Sequence, residues 1–304
     1  MAVNLAQIKN LLLPGLYHLT GEYKQIEKQY DKIFKHVKST LAIESSVSTR
    51  YFGLAQYKTE GGATAFDNNA GQRFVYNAES QEVGLGFSIT RKAIDDNKYK
   101  SDFNPNVAGL NMSFAQFKEL TCINILNNAT TYDSTIGGDG KALCATDHPV
   151  DGGTWANRPT TDYDLNESSL LQAMISIRTG FVNEANLKIY ARAEKLIIPP
   201  ALEPVAIRLT KTELRPGTSN NDVNAILSTT GGSLKGYIVN DYLTSSFAWF
   251  LKTNFEGLVY LERVSYETDM QTDFTTDNLL CKGYERYTAS YNDPRALYGA
   301  FPTS

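Results

Sequence analysis

Cysteine is scarce in this chain. Cys122, Cys144 and Cys281 are the only three in 304 residues. They are odd in number and widely spaced, which suits a reducing compartment and excludes a disulfide framework or a Cys-x-x-Cys metal site. Histidine is as scarce, and His18, His36 and His148 lack the paired spacing that a zinc site needs. Basic charge is not in excess either. Net charge is −4 and Lys and Arg are spread along the chain, so neither nucleic acid nor an acidic membrane surface is indicated as a main partner. No apolar run approaches the ~20 residues of a membrane span. The opening MAVNLAQIKNLLLPGLYHLT has a short apolar patch but no basic n-region or small-residue cleavage site, so no signal peptide is expected. Gly-Gly pairs at 61–62, 137–138, 152–153 and 231–232 fit neither phosphate-loop pattern and read as turns. Asp95-Asp96 and Asp269, Asp273 and Asp277 lack calcium-loop spacing and read as caps or solvated faces. No cofactor or metal is expected, and no internal repeat is visible.

What remains is an ordinary globular composition, 42% apolar and 20% charged, in a chain long enough for two domains and a sizeable core. It also holds 18 Tyr and 14 Phe, residues favoured in cores and at interfaces alike.

Taken in order, residues 4–13 read as a short helix stopped by Pro14-Gly15. Thr20 caps an amphipathic helix about five turns long, with Tyr23, Ile26, Tyr30, Ile33, Phe34 and Val37 on one stripe. Helical periodicity then vanishes from Ser45 to Gly86. Extended pieces at Tyr51–Tyr57 and Gln72–Tyr76, the second followed by VGLGFSIT, flank the Gly- and Asn-rich stretch YKTEGGATAFDNNAGQ. This predicts a two-stranded excursion with a flexible tip. Such long loops are usually functional or disordered, and a projecting hairpin can be ordered by lying across another chain.

Thr90–Asp96 is a short helix, 97–111 a polar joint, and Met112–Ala129 a long helix. Ser113 is its predicted N-cap, with Gln116 closing a capping box and Met112 and Phe117 forming a staple. Phe114, Ala115, Cys122, Ile125, Leu126 and Ala129 share one face, on which Lys118 intrudes, while Phe117 and Leu120 lie on the other side. Tyr132–Asp164 reads as loop and Asn166–Thr179 as helix. Lys188–Ile198 reads as a strand, Ala201–Glu213 as a helix, and Ser233–Leu243 as a strand. Ser246–Lys252 reads as a helical turn carrying Trp249. Val259–Glu267 and Leu279–Tyr291 alternate as half-buried strands do, and Arg295–Phe301 is a last strand. The fold class is α+β, helices packed on mainly antiparallel sheet.

The most chemical-looking segment is LCATDHP, Leu143–Pro149. Cys144 and His148 invite comparison with a cysteine hydrolase, which needs the imidazole to take the thiol proton. No oxyanion loop or orienting third group accompanies them. The segment fits as well a turn before proline, with Asp147 bonding its own backbone.

Six stretches, in collinear order over nearly the whole chain, carry a likeness to a known family. They are LLLPGLYHLTGEYKQIEKQYDKIF, GLGFSITRKAIDDNKY, LCATDHPVDGGTWAN, KLIIPPALEPVAIRLTKTEL, GYIVNDYLTSSFAWFL and ERYTASYNDPRALYGAF. The chain resembles the major capsid (head) proteins of tailed bacteriophages, which share the Hong Kong 97-type capsid fold, and within them the branch of the Mu-like major head subunits. Cys144 stands where that family has Phe. The resemblance implies an N-terminal arm at 1–49 and an extended E-loop hairpin at 50–88 that reaches over an adjacent subunit. It implies a peripheral domain at 89–159 and 257–291, with a long spine helix at about 113–130, and an axial domain at 160–256 and 292–304. It implies a self-assembling, non-enzymatic shell of hexamers and pentamers in a virion capsid, assembled in the host cytoplasm around weakly gripped double-stranded DNA. Portal, scaffolding and decoration proteins are the further partners implied, and no membrane. The sequence shown has no long charged N-terminal extension, which fits a separate scaffolding protein or a processed chain. Lys58 is the only Lys of the loop proper, and no crosslink is expected from it. An encapsulin-like nanocompartment shell is the near alternative and a cysteine hydrolase of Cys144 and His148 the remote one.

Overall fold

A computed structural model describes residues 27–303 except 69, 97–98, 212–223, 225 and 227–233. The helix read over 4–13 and the capped start at Thr20 lie outside the described residues. Two four-stranded sheets organise the rest. The first is built from β1 (Lys35–Lys38), β4 (Gln81–Ile89), β10 (Leu258–Thr272) and β11 (Leu279–Tyr291), in the order β1-β10-β11-β4. β1 runs parallel to β10, while β11 is antiparallel to both its neighbours. The second combines β7 (Ala193–Ile198), β8 (Tyr237–Val239), β9 (Trp249–Thr253) and β12 (Leu297–Ala300) in the order β12-β9-β7-β8. Two hairpins stand apart from these sheets, β2 (Ile43–Arg50) with β3 (Gly71–Glu79), and β5 (His148–Val150) with β6 (Gly153–Trp155).

The helices are α1 (Arg91–Asp95), α2 (Tyr99–Asn127), α3 (Glu167–Gly180) and α4 (Glu203–Lys211). Thr90 caps α1 by accepting from Ala93 N. Asn166 caps α3 in a reciprocal box with Ser169, which leaves Leu170, Ala173, Met174 and Ile177 buried on the second sheet. The period-two alternation of β11 is as expected, buried and open positions alternating from Leu279 to Tyr287.

Four expectations are corrected. The polar joint at 97–111 is helical from Tyr99 onward, so Ser113 is a mid-helix residue and not an N-cap. Asn104-Pro105-Asn106 and Gly109 look like a break, but Phe103, Val107, Leu110 and Phe114 repeat at helical spacing and are all buried. Packing of Phe103 and Val107 on Ile89, Met270, Leu279 and Cys281 outweighs the proline's lost backbone bond. The amphipathic arm does not continue as helix to Val37. A 3-10 turn at Tyr30–Lys32 buries Tyr30, and β1 follows, with Val37 opposite Leu261. Spacings of three and one fit either element until a parallel partner strand decides. The segment around Trp249 is strand, with Trp249, Phe250 and Leu251 all buried in the second sheet. A run buried on both faces carries no alternation to read. In the excursion the outgoing strand is Ile43–Arg50, not Tyr51–Tyr57, which forms no strand pairing among the described residues.

α2 lies across the first sheet. Cys122, Ile123, Leu126 and Ala129 meet Leu258, Tyr260, Tyr287 and Tyr291 in one cluster. Helix and sheet approach closely where Gly283 lies under the rings of Phe114 and Tyr266. A Cβ there would stand 2.7 Å from the Phe114 ring.

Candidate assembly surfaces

The β2–β3 hairpin projects loop 51–70, on which Tyr51, Phe52, Leu54, Tyr57 and Phe66 are exposed, Tyr57 completely. So many large apolar side chains together on a projecting segment mark a docking surface. Among the described residues the hairpin's two strands share a ladder only with each other, apart from an isolated bridge between Tyr76 and Gly137, and its root packs on the first sheet through Tyr76 against Tyr291 and Ala78 against Val259 and Leu261. At its base, Gly138 N donates to Val75 O at 2.8 Å and Asn77 N to Ile136 O at 2.7 Å. Gly138 itself, at φ +84°, lies against the Tyr76 ring. Further out, Arg50 of β2 and Arg73 of β3 converge on the Asp151 carboxylate. Arg50 Nε donates to one oxygen, and Arg73 Nη1 to the other at 2.7 Å. Arg50 holds the Asp151 carboxyl below the ordinary carboxylate range.

A second exposed apolar surface lies where α2 meets the edge of the first sheet. Met112, Phe117 and Leu120 of α2 and Leu85 of β4 are half exposed. A shallow groove of about 350 Å³ lies between Val83, Leu85, Phe114 and Phe117. At the β10–β11 turn Phe274 is almost fully exposed. The turn is fixed by Asp273, which accepts from Thr276 Oγ1 at 2.6 Å and Thr275 N at 3.1 Å. Asp277 pairs with Arg91 at 2.8 Å, and Asp269 accepts from Met270 N. These three carboxylates therefore serve the turn and its flanks.

Lys118, the intruder on the α2 face, is buried in an ion pair with Glu285 at 2.6 Å. Its ammonium lies 5.1 Å from the Tyr287 ring centroid and 5.9 Å from that of Tyr260, a cation–π setting. Burial pushes the Glu285 carboxyl up, against the opposing pull of Lys118. Next to it, Glu119 accepts from Gln29 N at 2.7 Å and Tyr30 N at 3.1 Å and so fastens the start of the described chain to α2. Burial raises its carboxyl too.

Cys144 and His148 lie near one another in sequence but do not form a catalytic pair. Cys144 is fully buried, and burial drives its thiol far up. His148 spends both ring nitrogens elsewhere, Nδ1 at 2.6 Å from Asp139 Oδ2 and Nε2 at 3.0 Å from Asn157 Oδ1. Asn157 Nδ2 donates to the carbonyls of Leu143, Pro294 and Leu297, which fixes its oxygen as the acceptor facing His148. Trp155 stacks on the imidazole at 4.7 Å. The node ties loop 139–157 to the strand entry at 294–297. His148 opens strand β5 rather than a turn, and Asp147 pairs with Lys141 instead of its own backbone. Neither Asp139 nor Asn157 stands out in the sequence by residue type; the stretch LCATDHPVDGGTWAN, which holds His148 and ends at Asn157, is the signal that reaches the node.

The family described as phage capsid protein matches residues 76–300. No curated protein sequence matches the chain. Several solved structures resemble it at low identity. A virus-like particle from Pyrococcus furiosus is 10% identical over 94% of this chain and 98% of that one, with a TM-score of 0.52. A protein of Mycobacterium phage Bobi is 9% identical over 91% of each chain, at 0.53. The procapsid of bacteriophage JBD30 is 12% identical over 99% of this chain and 77% of that one, at 0.50.

Proposed function

The chain belongs to the phage capsid protein family, and on that footing we propose that it closes, in many copies, into the head shell that encloses the double-stranded DNA of a tailed phage. Its fold is the Hong Kong 97-type capsid fold. It is a structural subunit of a virion capsid and not an enzyme, and it self-assembles into a shell of capsomers, here read as hexamers and pentamers. Contacts of one kind repeated around an axis close into rings, and rings knit by arms sum many weak contacts into a stable whole.

The observation that carries the reading is loop 51–70, whose large apolar side chains are exposed among the described residues. Residues 50–88 are assigned as the E-loop lying over a neighbouring copy, and 1–49 as the arm. The peripheral domain is assigned to 89–159 and 257–291, around α2, and the axial domain to 160–256 and 292–304. Portal, scaffolding and decoration proteins and assembly in the host cytoplasm complete the proposal. A subunit of net charge −4 grips packaged DNA only weakly.

Negative-stain images of the purified protein test this. Closed shells are expected, and monodisperse monomers under every salt and crowding condition would overturn it. Deleting 58–70 is expected to leave a folded subunit that assembles poorly. The shell's contents, DNA or a co-purified enzyme, separate a phage head from a nanocompartment.

A further inference from the structure

Because β2 and β3, among the described residues, share a ladder only with each other, no sheet ladder fixes the direction in which the hairpin points, and a lone two-stranded ribbon is marginal in itself. The root alone, with Tyr76 against Gly138 and Tyr291 and Ala78 against Val259 and Leu261, would act as a pivot. A second set of contacts removes that freedom, and it is a continuous line of alternating charge. In the loop, Asp67 accepts from Gly53 N at 2.8 Å and lies 3.5 Å from Arg50. Arg50 and Arg73 share Asp151. Arg73 also donates to the Glu184 carbonyl at 2.8 Å, the same oxygen that accepts from Asp151 N at 3.2 Å. The Glu184 carboxylate then meets Arg295 at 2.9 Å, and Arg295 Nε donates to Val182 O at 2.7 Å. The two arginine side chains are largely covered, at 14% and 19% exposure. One from each strand, they hold the single carboxylate at the β5–β6 turn with two charge-assisted bonds.

We infer that Asp151 is a positioning residue for assembly, a clasp that sets the angle at which the hairpin presents loop 51–70 to a neighbouring copy. The inference rests on the reading of the chain as a shell subunit. If the hairpin swings about its base, both arginines leave Asp151 together, so the clasp distinguishes one angle from the rest.

Spin labels at Gln72→Cys on β3 and Arg178→Cys on α3, both exposed positions, report that angle in the unassembled subunit by electron–electron distance measurement. A narrow distribution is expected for the parent. A shifted, broadened one is expected for Asp151→Asn, with partial return in Asp151→Glu. Loss of closed shells in the unlabelled Asp151→Asn protein, at an unchanged melting temperature, is expected alongside. Identical distance distributions in parent and Asp151→Asn would overturn the inference, as would a broadened distribution with undiminished shell yield. A parent that forms no shells would overturn the proposed function and leave the distances to decide the clasp. Arg50→Gln, which opens one arm of the clasp, serves in the same way if Asp151→Asn fails to fold.

Discussion

Replacing Phe117 by Asp and Leu126 by Asp perturbs one helix in two different ways. Leu126 is wholly buried, in the cluster that joins α2 to Tyr260 and Tyr287. Truncating such a leucine costs about 2–5 kcal/mol, and a carboxyl placed there adds its own desolvation. Phe117 is 49% exposed, beside Val83 and Leu85. Full burial of a phenylalanine is worth about 1.5–3 kcal/mol, so roughly half of that, about 1 kcal/mol, is at stake in the free subunit. The expected outcome is a sharp separation. Leu126→Asp lowers the melting temperature by many degrees or yields no folded subunit, each kcal/mol being worth about 2–4 °C in a large domain. Phe117→Asp melts within a few degrees of the parent, yet is expected to sediment as free subunits where the parent forms shells, because a charge then stands on a surface proposed to meet a neighbouring copy. Thermal melts followed by circular dichroism and gradient sedimentation read the two quantities on the same samples. The reasoning fails if Phe117→Asp assembles at the parent's yield, or if both variants lose fold and assembly in equal measure.

The buried Lys118–Glu285 pair predicts a cycle. Lys118→Met alone costs about 3–5 kcal/mol by leaving a carboxylate unpaired in the core, and Lys118→Met with Glu285→Leu recovers most of it; urea denaturation measures both. Burial raises the Glu285 carboxyl above its ordinary 4.5. Between 4.5 and the raised folded value the folded state holds a proton that the unfolded state has lost, so stability falls as pH rises through that window. Glu285→Gln is expected to flatten the slope in melts taken across it. Gly138→Ala places a Cβ 2.2 Å from the Tyr76 ring at φ +84°. It is expected to loosen the hairpin, seen as faster amide exchange at 71–79, with little change at β10 and β11. Cys144→Ala is expected to assemble as the parent does, and the native thiol to resist alkylation until the chain unfolds; a rapidly labelled Cys144 would contradict its burial.

Regular elements with one wet face were readable from their periods. β11 matches its predicted span and α3 comes within a residue of it, because each keeps a buried and an open side. Elements whose identity depends on distant partners were not. Tyr30, Ile33, Phe34 and Val37 satisfy a helical stripe, and only the β10 neighbour makes the end of that stripe a strand. Trp249–Leu251 has no polar alternation because both its faces are covered. The N-terminal half of α2 was hidden behind Asn-Pro-Asn, residues whose local preference for turns yields to the Phe103 and Val107 packing. The excursion read over 45–86 was legible as a departure from core texture, but its last residues, 81–86, belong to β4 of the first sheet and not to the hairpin. Its anchors were not legible, since Arg50, Arg73, Asp151 and Glu184 lie far apart in sequence and only the fold brings them together.

The order of strands in the first sheet has a consequence in time. Lys35 of β1 lies opposite Val259 and Ile89 of β4 opposite Leu279. On a ribosome, β1 and β4 are made and then wait for partners roughly 200 residues downstream, some ~10–40 s at ~5–20 residues per second. Through that interval the apolar loop 51–70 exists, but the surface beside β4 does not, because β4 is the edge of nothing until β11 emerges. An unfinished chain therefore exposes its apolar loop before the sheet that carries its own second exposed surface has formed.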